Sequence, residues 1–272
     1  MAKERKTALP RLLKTLLLFP ALLLFFPSCK KQEPVVREIG GKKYELTFED
    51  DFDGETLDKK KWSLCPEQPR HDAGGWWDDD MVSLRDGCLV LTAAMREDGT
   101  PVSGAIRSFR KFSQNRGYFE ARIRTQTASG FWGAFWLMDP FMSFHKPDGT
   151  AADGAEIDIM ESFNVPRGGV NHAIHWDGYG EAHKSVGKEV YDRGLYRDFH
   201  VYALEWTDSE YIFYIDGKET WRTSEPGMCK NKLYLKLTTE FGTWAAPIEK
   251  DKLPDEFLVD YVRVYKLCEE EN

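Results

Sequence analysis

Gly154-Ala155-Glu156-Ile157-Asp158-Ile159-Met160-Glu161-Ser162 sets three carboxylates within six residues, between apolar side chains that are β-branched or large. That mixture suits a half-buried strand better than a loop. Alternate strand residues share a face, so Glu156 and Asp158 point the same way, while Glu161 would point to the opposite one. One extra residue, a β-bulge near Ile159–Met160, would re-aim Glu161 onto their side, and bulges gather beside active sites. Like charges on one face raise one another's pKa, an arrangement kept where protons, a metal or a substrate use it. Two carboxyls in environments that drive their pKa values apart are what glycoside hydrolysis requires. A retaining pair stands roughly 5–5.5 Å apart, so the two glutamates would have to lean together over Asp158. The alternative is an edge strand whose acids face water.

Outward from this stretch the chain reads as short strands separated by turn signals. Leu89 to Ala93 follows Asp86-Gly87, and Tyr211 to Ile215 runs into Asp216-Gly217, a strong hairpin turn, before resuming toward Trp221. From Tyr118 to Arg124, Phe119, Ala121 and Ile123 alternate with Glu120, Arg122 and Arg124, which predicts one buried and one polar face. Leu233 to Leu237 and Phe257 to Tyr265 complete the series, with no helical periodicity and no internal repeat. The pattern predicts an all-β, antiparallel sandwich. The 272 residues, 42% hydrophobic and 14% aromatic, are enough for one large domain of this kind. A net charge of -8 argues against a nucleic-acid partner, which favours a basic face. Nine tryptophans serve either as core or as platforms for the apolar faces of sugar rings.

The N-terminus reads differently. Lys3, Arg5, Lys6, Arg11 and Lys14 form a basic leader, and Leu16 to Phe26 is an apolar run too short to span a bilayer comfortably. Residues 1–29 therefore read as a secretory signal. Phe26-Pro27-Ser28-Cys29 resembles a bacterial lipobox with Cys29 as lipid acceptor; cleavage without lipidation is the alternative. Residues 30–41 are polar and tether-like, 42–268 form the domain, and 269–272 are an acidic tail. The expectation is an exported lipoprotein at the outer membrane, cell surface or periplasm, touching the membrane only through its lipid. Cys65, Cys88, Cys229 and Cys268 either pair or remain buried thiols, and none has zinc-ligand spacing.

Glu156-Ile157-Asp158-Ile159-Met160-Glu161 resembles the signature of glycoside hydrolase family 16 in its longer form. Arg116-Gly117-Tyr118-Phe119-Glu120-Ala121-Arg122-Ile123, Gly130-Phe131-Trp132-Gly133-Ala134-Phe135-Trp136-Leu137, Phe199-His200-Val201-Tyr202-Ala203-Leu204-Glu205-Trp206 and Val259-Asp260-Tyr261-Val262-Arg263-Val264-Tyr265 follow the family's order, over roughly Tyr44 to Lys266. The resemblance implies a concanavalin-like jelly roll with a concave cleft and a monomeric, retaining endo-β-glycanase acting on a polysaccharide or glycan. Glu156 would be the nucleophile, Glu161 the acid/base and Asp158 their intermediary, with no catalytic metal or organic cofactor. It implies a sugar platform at Trp132, favoured over Trp136, and a histidine beside the acid/base at His175, which faces away from His172. Trp76 or Trp77, in the loop His71 to Asp80, would meet a distal sugar. A structural calcium would use Asp260 and the Gly87 carbonyl. Ala105 and Glu240 depart from the β-1,3-glucan-cleaving pattern and leave galactose-containing glycans open beside glucans. Two rival readings are a non-catalytic glycan-binding lipoprotein and a transglycosylase on the same fold.

Overall fold

Period-two alternation along Phe131–Met138 sends Phe131, Phe135 and Leu137 into the protein interior, and Trp132, Ala134 and Trp136 to the opposite face. The computed structural model describes residues 35–66, 69–70 and 74–268. Among them, this strand sits in a seven-stranded antiparallel sheet. The order is Lys184–Tyr191, Gly169–Trp176, Glu156–Asn164, Phe131–Met138, Tyr234–Phe241, Ala105–Arg107 and Ser63–Leu64.

A twelve-stranded sheet covers its inner face, with Gly117–Arg124 and Asp255–Leu267 paired at its centre. Between the sheets lies one continuous core in which Phe119, Phe135, Leu137, Ile157, Leu204, Phe213, Phe257 and Val259 are wholly buried. At Gly133 the sheets approach so closely that a Cβ would stand 2.0 Å from the Phe257 ring. The hairpins at Asp86-Gly87 and Asp216-Gly217 have both turn residues at positive φ, which matches the twist of the flanking strands. Helix is confined to short 3-10 turns among the described residues. One strand pair, Gly75–Trp77 with Pro101–Ser103, is parallel rather than antiparallel.

One expectation is corrected here. The tether assigned to residues 30–41 contains a strand, Val36–Ile39, which folds back through Gly40-Gly41 onto Lys42–Asp50. On the polar face of Gly117–Arg124, Glu120 is covered and only 1% exposed. Arg37 of the added strand reaches it at 2.6 Å, so the segment read as linker neutralises a buried carboxylate.

Among the described residues, Cys88, Cys229 and Cys268 are free thiols, and Cys65 is buried beside Trp77 and Ala105. Within the acidic loop, Gly75–Trp77 is a strand and Asp78 caps a short 3-10 turn. The leader, Cys29, His71, Asp72 and the 269–272 tail lie outside the described residues.

Candidate active site

In the Glu156–Asn164 strand, Asp158 pairs with Trp136 and Met160 with Phe135, leaving Ile159 unopposed. This is the bulge expected from the spacing. Ile159 and Met160 both enter the core, and Glu161 returns to the face of Glu156 and Asp158. All three carboxyls line a cleft of 480 Å³ on the outer face of the seven-stranded sheet.

Each carboxyl has its own partner. The Tyr179 hydroxyl donates to Glu156 Oε2, and Asn171 Nδ2 donates to Glu161 Oε2 at 3.0 Å. His175 Nε2 lies 3.2 Å from Asp158 Oδ2, and its Nδ1 lies 3.0 Å from His183 Nε2. Burial and then the neighbouring Asp158 push Glu156 up to about 7. The same two causes, with Glu156 adding to them, hold Glu161 well above the ordinary carboxyl range. Burial alone would lower His175, but the Asp158 hydrogen bond and the surrounding carboxylates outweigh it and raise the imidazole to about 9. Glu156 is eased toward ionisation by His175, Tyr179 and Lys236, whereas Glu161 is eased mainly by the Asn171 amide. The two environments thus favour a charged Glu156 beside a protonated Glu161.

His172, on the opposite face of its strand as expected, is fully buried between the Ile159 carbonyl and Thr220. Burial pulls it down to about 4, so it is a neutral core residue.

Trp132 and Trp136 both line the cleft, although the sequence favoured the first. The Lys236 ammonium stands 3.5 Å from the Trp136 ring centroid and 4.7 Å from that of Trp77. Trp77 also lines the cleft and donates its indole N–H to the Thr239 carbonyl, while Trp76 is exposed outside the wall. Glu240 is buried in the cleft floor, in register with Trp132.

The proposed calcium seat does not fit. Asp260 takes the Arg122 guanidinium at 2.7 Å, and Gly87 serves a hairpin turn. Glu156, Asp158 and His175 bring an oxygen or nitrogen each within 4.8 Å of one another. Both His175 nitrogens are engaged within the protein, Nε2 by Asp158 and Nδ1 by His183.

Sequence reasoning missed Tyr179, His183, Asn171, Lys236, Arg107 and Trp244. Asn171 was legible in principle, since it shares strand parity with His175. Lys236 likewise falls in a quoted strand and pairs with Arg107 across the cleft floor. Tyr179 and His183 come from a loop, where no periodicity orients side chains. Trp244, half-exposed, meets Trp132 edge-on at 5.3 Å and stacks on Phe163 at 4.7 Å. It lines a further 490 Å³ of cleft that shares the three carboxyls and runs past Glu161 over Asn171, His175 and His183. Open groove therefore extends to both sides of the acidic cluster.

Comparison with known proteins agrees with this geometry. The family model described as "Beta-porphyranase A-D, GH16 domain" matches residues 44–267. The chain is 27% identical over 263 residues to Glucan endo-1,3-beta-glucosidase A1 of Niallia circulans, covering 81% of this chain and 38% of that protein. It is 29% identical over 256 residues to Keratan-sulfate endo-1,4-beta-galactosidase of Sphingobacterium multivorum, covering 82% and 56% respectively. It thus spans less than two thirds of either relative. The endo-beta-1,3-glucanase structure from Pyrococcus furiosus superposes with a TM-score of 0.70 at 22% identity, over 86% of this chain and 99% of that one. That likeness establishes the two-sheet jelly roll. With its model spanning nearly the whole described domain, including the three-carboxylate strand, the chain belongs to glycoside hydrolase family 16.

Proposed function

We propose that the protein is a retaining, endo-acting β-glycanase. The observation that carries this reading is the return of Glu161, through the bulge, to the cleft face that holds Glu156 and Asp158. Glu156, the more readily ionised glutamate, attacks the anomeric carbon while protonated Glu161 gives its proton to the departing glycosidic oxygen. A covalent glycosyl-enzyme results. Glu161, now a carboxylate, takes a proton from water, the hydroxide equivalent attacks the anomeric carbon, and Glu156 is released as a carboxylate. Asp158 stands between the two and is held by His175. Nucleophile, acid and base all come from these side chains, so the reaction as written needs no metal or organic cofactor.

Groove on both sides of the carboxyls supports cleavage within a chain rather than at its end. Trp132, Trp136 and Trp77 offer apolar faces for sugar rings. The relatives named above act on a β-1,3-glucan and on keratan sulfate, so both glucans and galactose-containing glycans belong in a substrate panel. Lys236, Arg107 and Glu240 make this floor more charged than a neutral glucan requires, which favours a galactose-containing or anionic glycan.

The test uses protein lacking residues 1–29 with laminarin, lichenan, agar-type galactans, porphyran, keratan sulfate and poly-lactosamine. Early release of mid-sized oligosaccharides with the β-configuration retained by NMR is expected. Inversion of configuration, or cleavage that survives Glu156→Gln, overturns the mechanism; binding without any cleavage points to a lectin-like protein. Product sizing with excess sugar acceptor separates hydrolysis from transglycosylation.

A further inference from the structure

We propose that the loop of residues 177–183 belongs to the catalytic apparatus, with His183 and Tyr179 as positioning residues. In this assignment His183 holds the His175 imidazole in the form that donates to Asp158, and Tyr179 fixes the Glu156 carboxylate. The inference rests on the two-glutamate reaction above and extends it to residues outside the catalytic strand.

The argument begins with the protons on one imidazole. His175 Nε2 faces the Asp158 carboxylate at 3.2 Å, and a carboxylate has no proton to give, so Nε2 carries one. His175 Nδ1 faces His183 Nε2 at 3.0 Å, a contact that needs a proton on one nitrogen and a lone pair on the other. With that proton on His175, the ring is a cation donating from both ends, and His183 is a neutral acceptor. With it on His183, His175 is neutral.

The surroundings choose between these. Asp158, Glu156 and Glu161 face His175 from the adjacent strand, and Tyr179 and His183 from the following loop; Lys236 acts on Glu156 from beyond it. The carboxylates of Asp158 and Glu156 against one ammonium favour the cation on His175. Consistent with this, His175 is shifted upward while burial and then the His175 charge shift His183 downward.

The geometry is constrained as well as charged. The two imidazoles stack with centroids 5.2 Å apart and planes 7° apart, and the Tyr179 ring lies 5.9 Å from His183. Tyr179 in turn donates to Glu156 and contacts Met138 sulfur. A single short loop therefore touches Glu156 directly and Asp158 through His175. A cation placed among the three carboxyls lets Glu156 ionise while Glu161 keeps its proton. Loss of the His183 acceptor leaves His175 Nδ1–H facing solvent, weakens the cation and frees the ring to turn.

The experiment compares His183→Ala, His183→Gln and Tyr179→Phe with the parent protein lacking residues 1–29. The first readout is the pH dependence of kcat/KM on whichever glycan the parent cleaves. The second, which needs no substrate, is NMR titration of the His175 imidazole. For His183→Ala, kcat falls about tenfold with KM little changed, the pH profile shifts, and the His175 midpoint moves down by about one pH unit. His183→Gln, whose amide oxygen accepts the Nδ1 proton, recovers most of both. Tyr179→Phe lowers kcat and displaces the acidic limb, which follows Glu156.

An unmoved His175 titration and pH profile in His183→Ala overturns the proposal. So does a fall in activity that His183→Gln fails to recover although both variants melt at the parent temperature. If the parent cleaves nothing, the hydrolase reading fails on its own, and the His175 titration still decides the coupling.

Discussion

Glu161 begins the proposed reaction with a proton that an exposed glutamate would have lost at neutral pH. Burial and Asp158 hold it there, and Asn171 aims it. Glu161→Gln removes that proton, so kcat/KM on a natural glycan is expected to fall by roughly 10²–10⁴. An activated aryl glycoside, whose phenolate leaves unaided, should form the glycosyl-enzyme with a much smaller loss, visible as a burst. Glu156 makes a separate prediction about stability. Its folded-state pKa of about 7 lies above the ordinary carboxyl value, so the folded protein holds a proton that the unfolded chain releases. The stability contributed by Glu156 is therefore full below about pH 4.5 and is lost as the pH rises through about 7. Glu156→Gln, with no proton to lose, should be more stable than the parent at pH 8 by on the order of 1–3 kcal/mol, and no more stable at pH 4, by urea denaturation at each pH. At this scale the acids were legible because their chemistry is concentrated in consecutive residues. Their partners Asn171, Tyr179 and His183 were not, because a hydrogen bond across strands or from a loop leaves no local pattern.

The catalytic strand shows how one unopposed residue sets the parity of a site. Ile159 and Met160 both point inward, so an odd separation in sequence becomes a shared face in space. Deleting Met160 should restore regular alternation and leave Glu161 in the cleft, lowering stability by about 2–5 kcal/mol for the lost core side chain while cleavage remains measurable. Inserting one alanine after Ile159 also makes the separation even, so Glu161 stays on the cleft face but about 6.6 Å further along the strand from Glu156, and cleavage should be lost. Equal loss of cleavage in two folded variants would refute the parity argument. The bulge could be inferred because acid spacing and strand period conflicted. The side chains sharing the Trp132 and Trp136 face needed more than period, since Lys236 and Trp77 arrive from other strands and the Lys236 ammonium lies over both the Trp136 and the Trp77 ring.

Across the whole molecule, alternation and Asp-Gly turns made the sandwich readable, because both are local consequences of half-buried strands. The cover over its outer sheet was not readable. Val36–Ile39 is polar enough to pass for linker, and only the assembled sheet reveals a buried Glu120 awaiting Arg37. Arg37→Ala should cost about 1–2 kcal/mol in urea denaturation, less than a fully buried pair because Arg37 is half-exposed, and Glu120→Gln on that background should recover part of it.

Four of the nine tryptophans, Trp77, Trp132, Trp136 and Trp244, border the groove, and two of them lie beneath one ammonium. Indole emission responds to nearby charge and to the exclusion of water, so the protein carries its own optical gauge of occupancy. A sugar chain settling over these rings changes their light whether or not a bond is cut, which makes ligand capture observable in a catalytically silenced protein without any label.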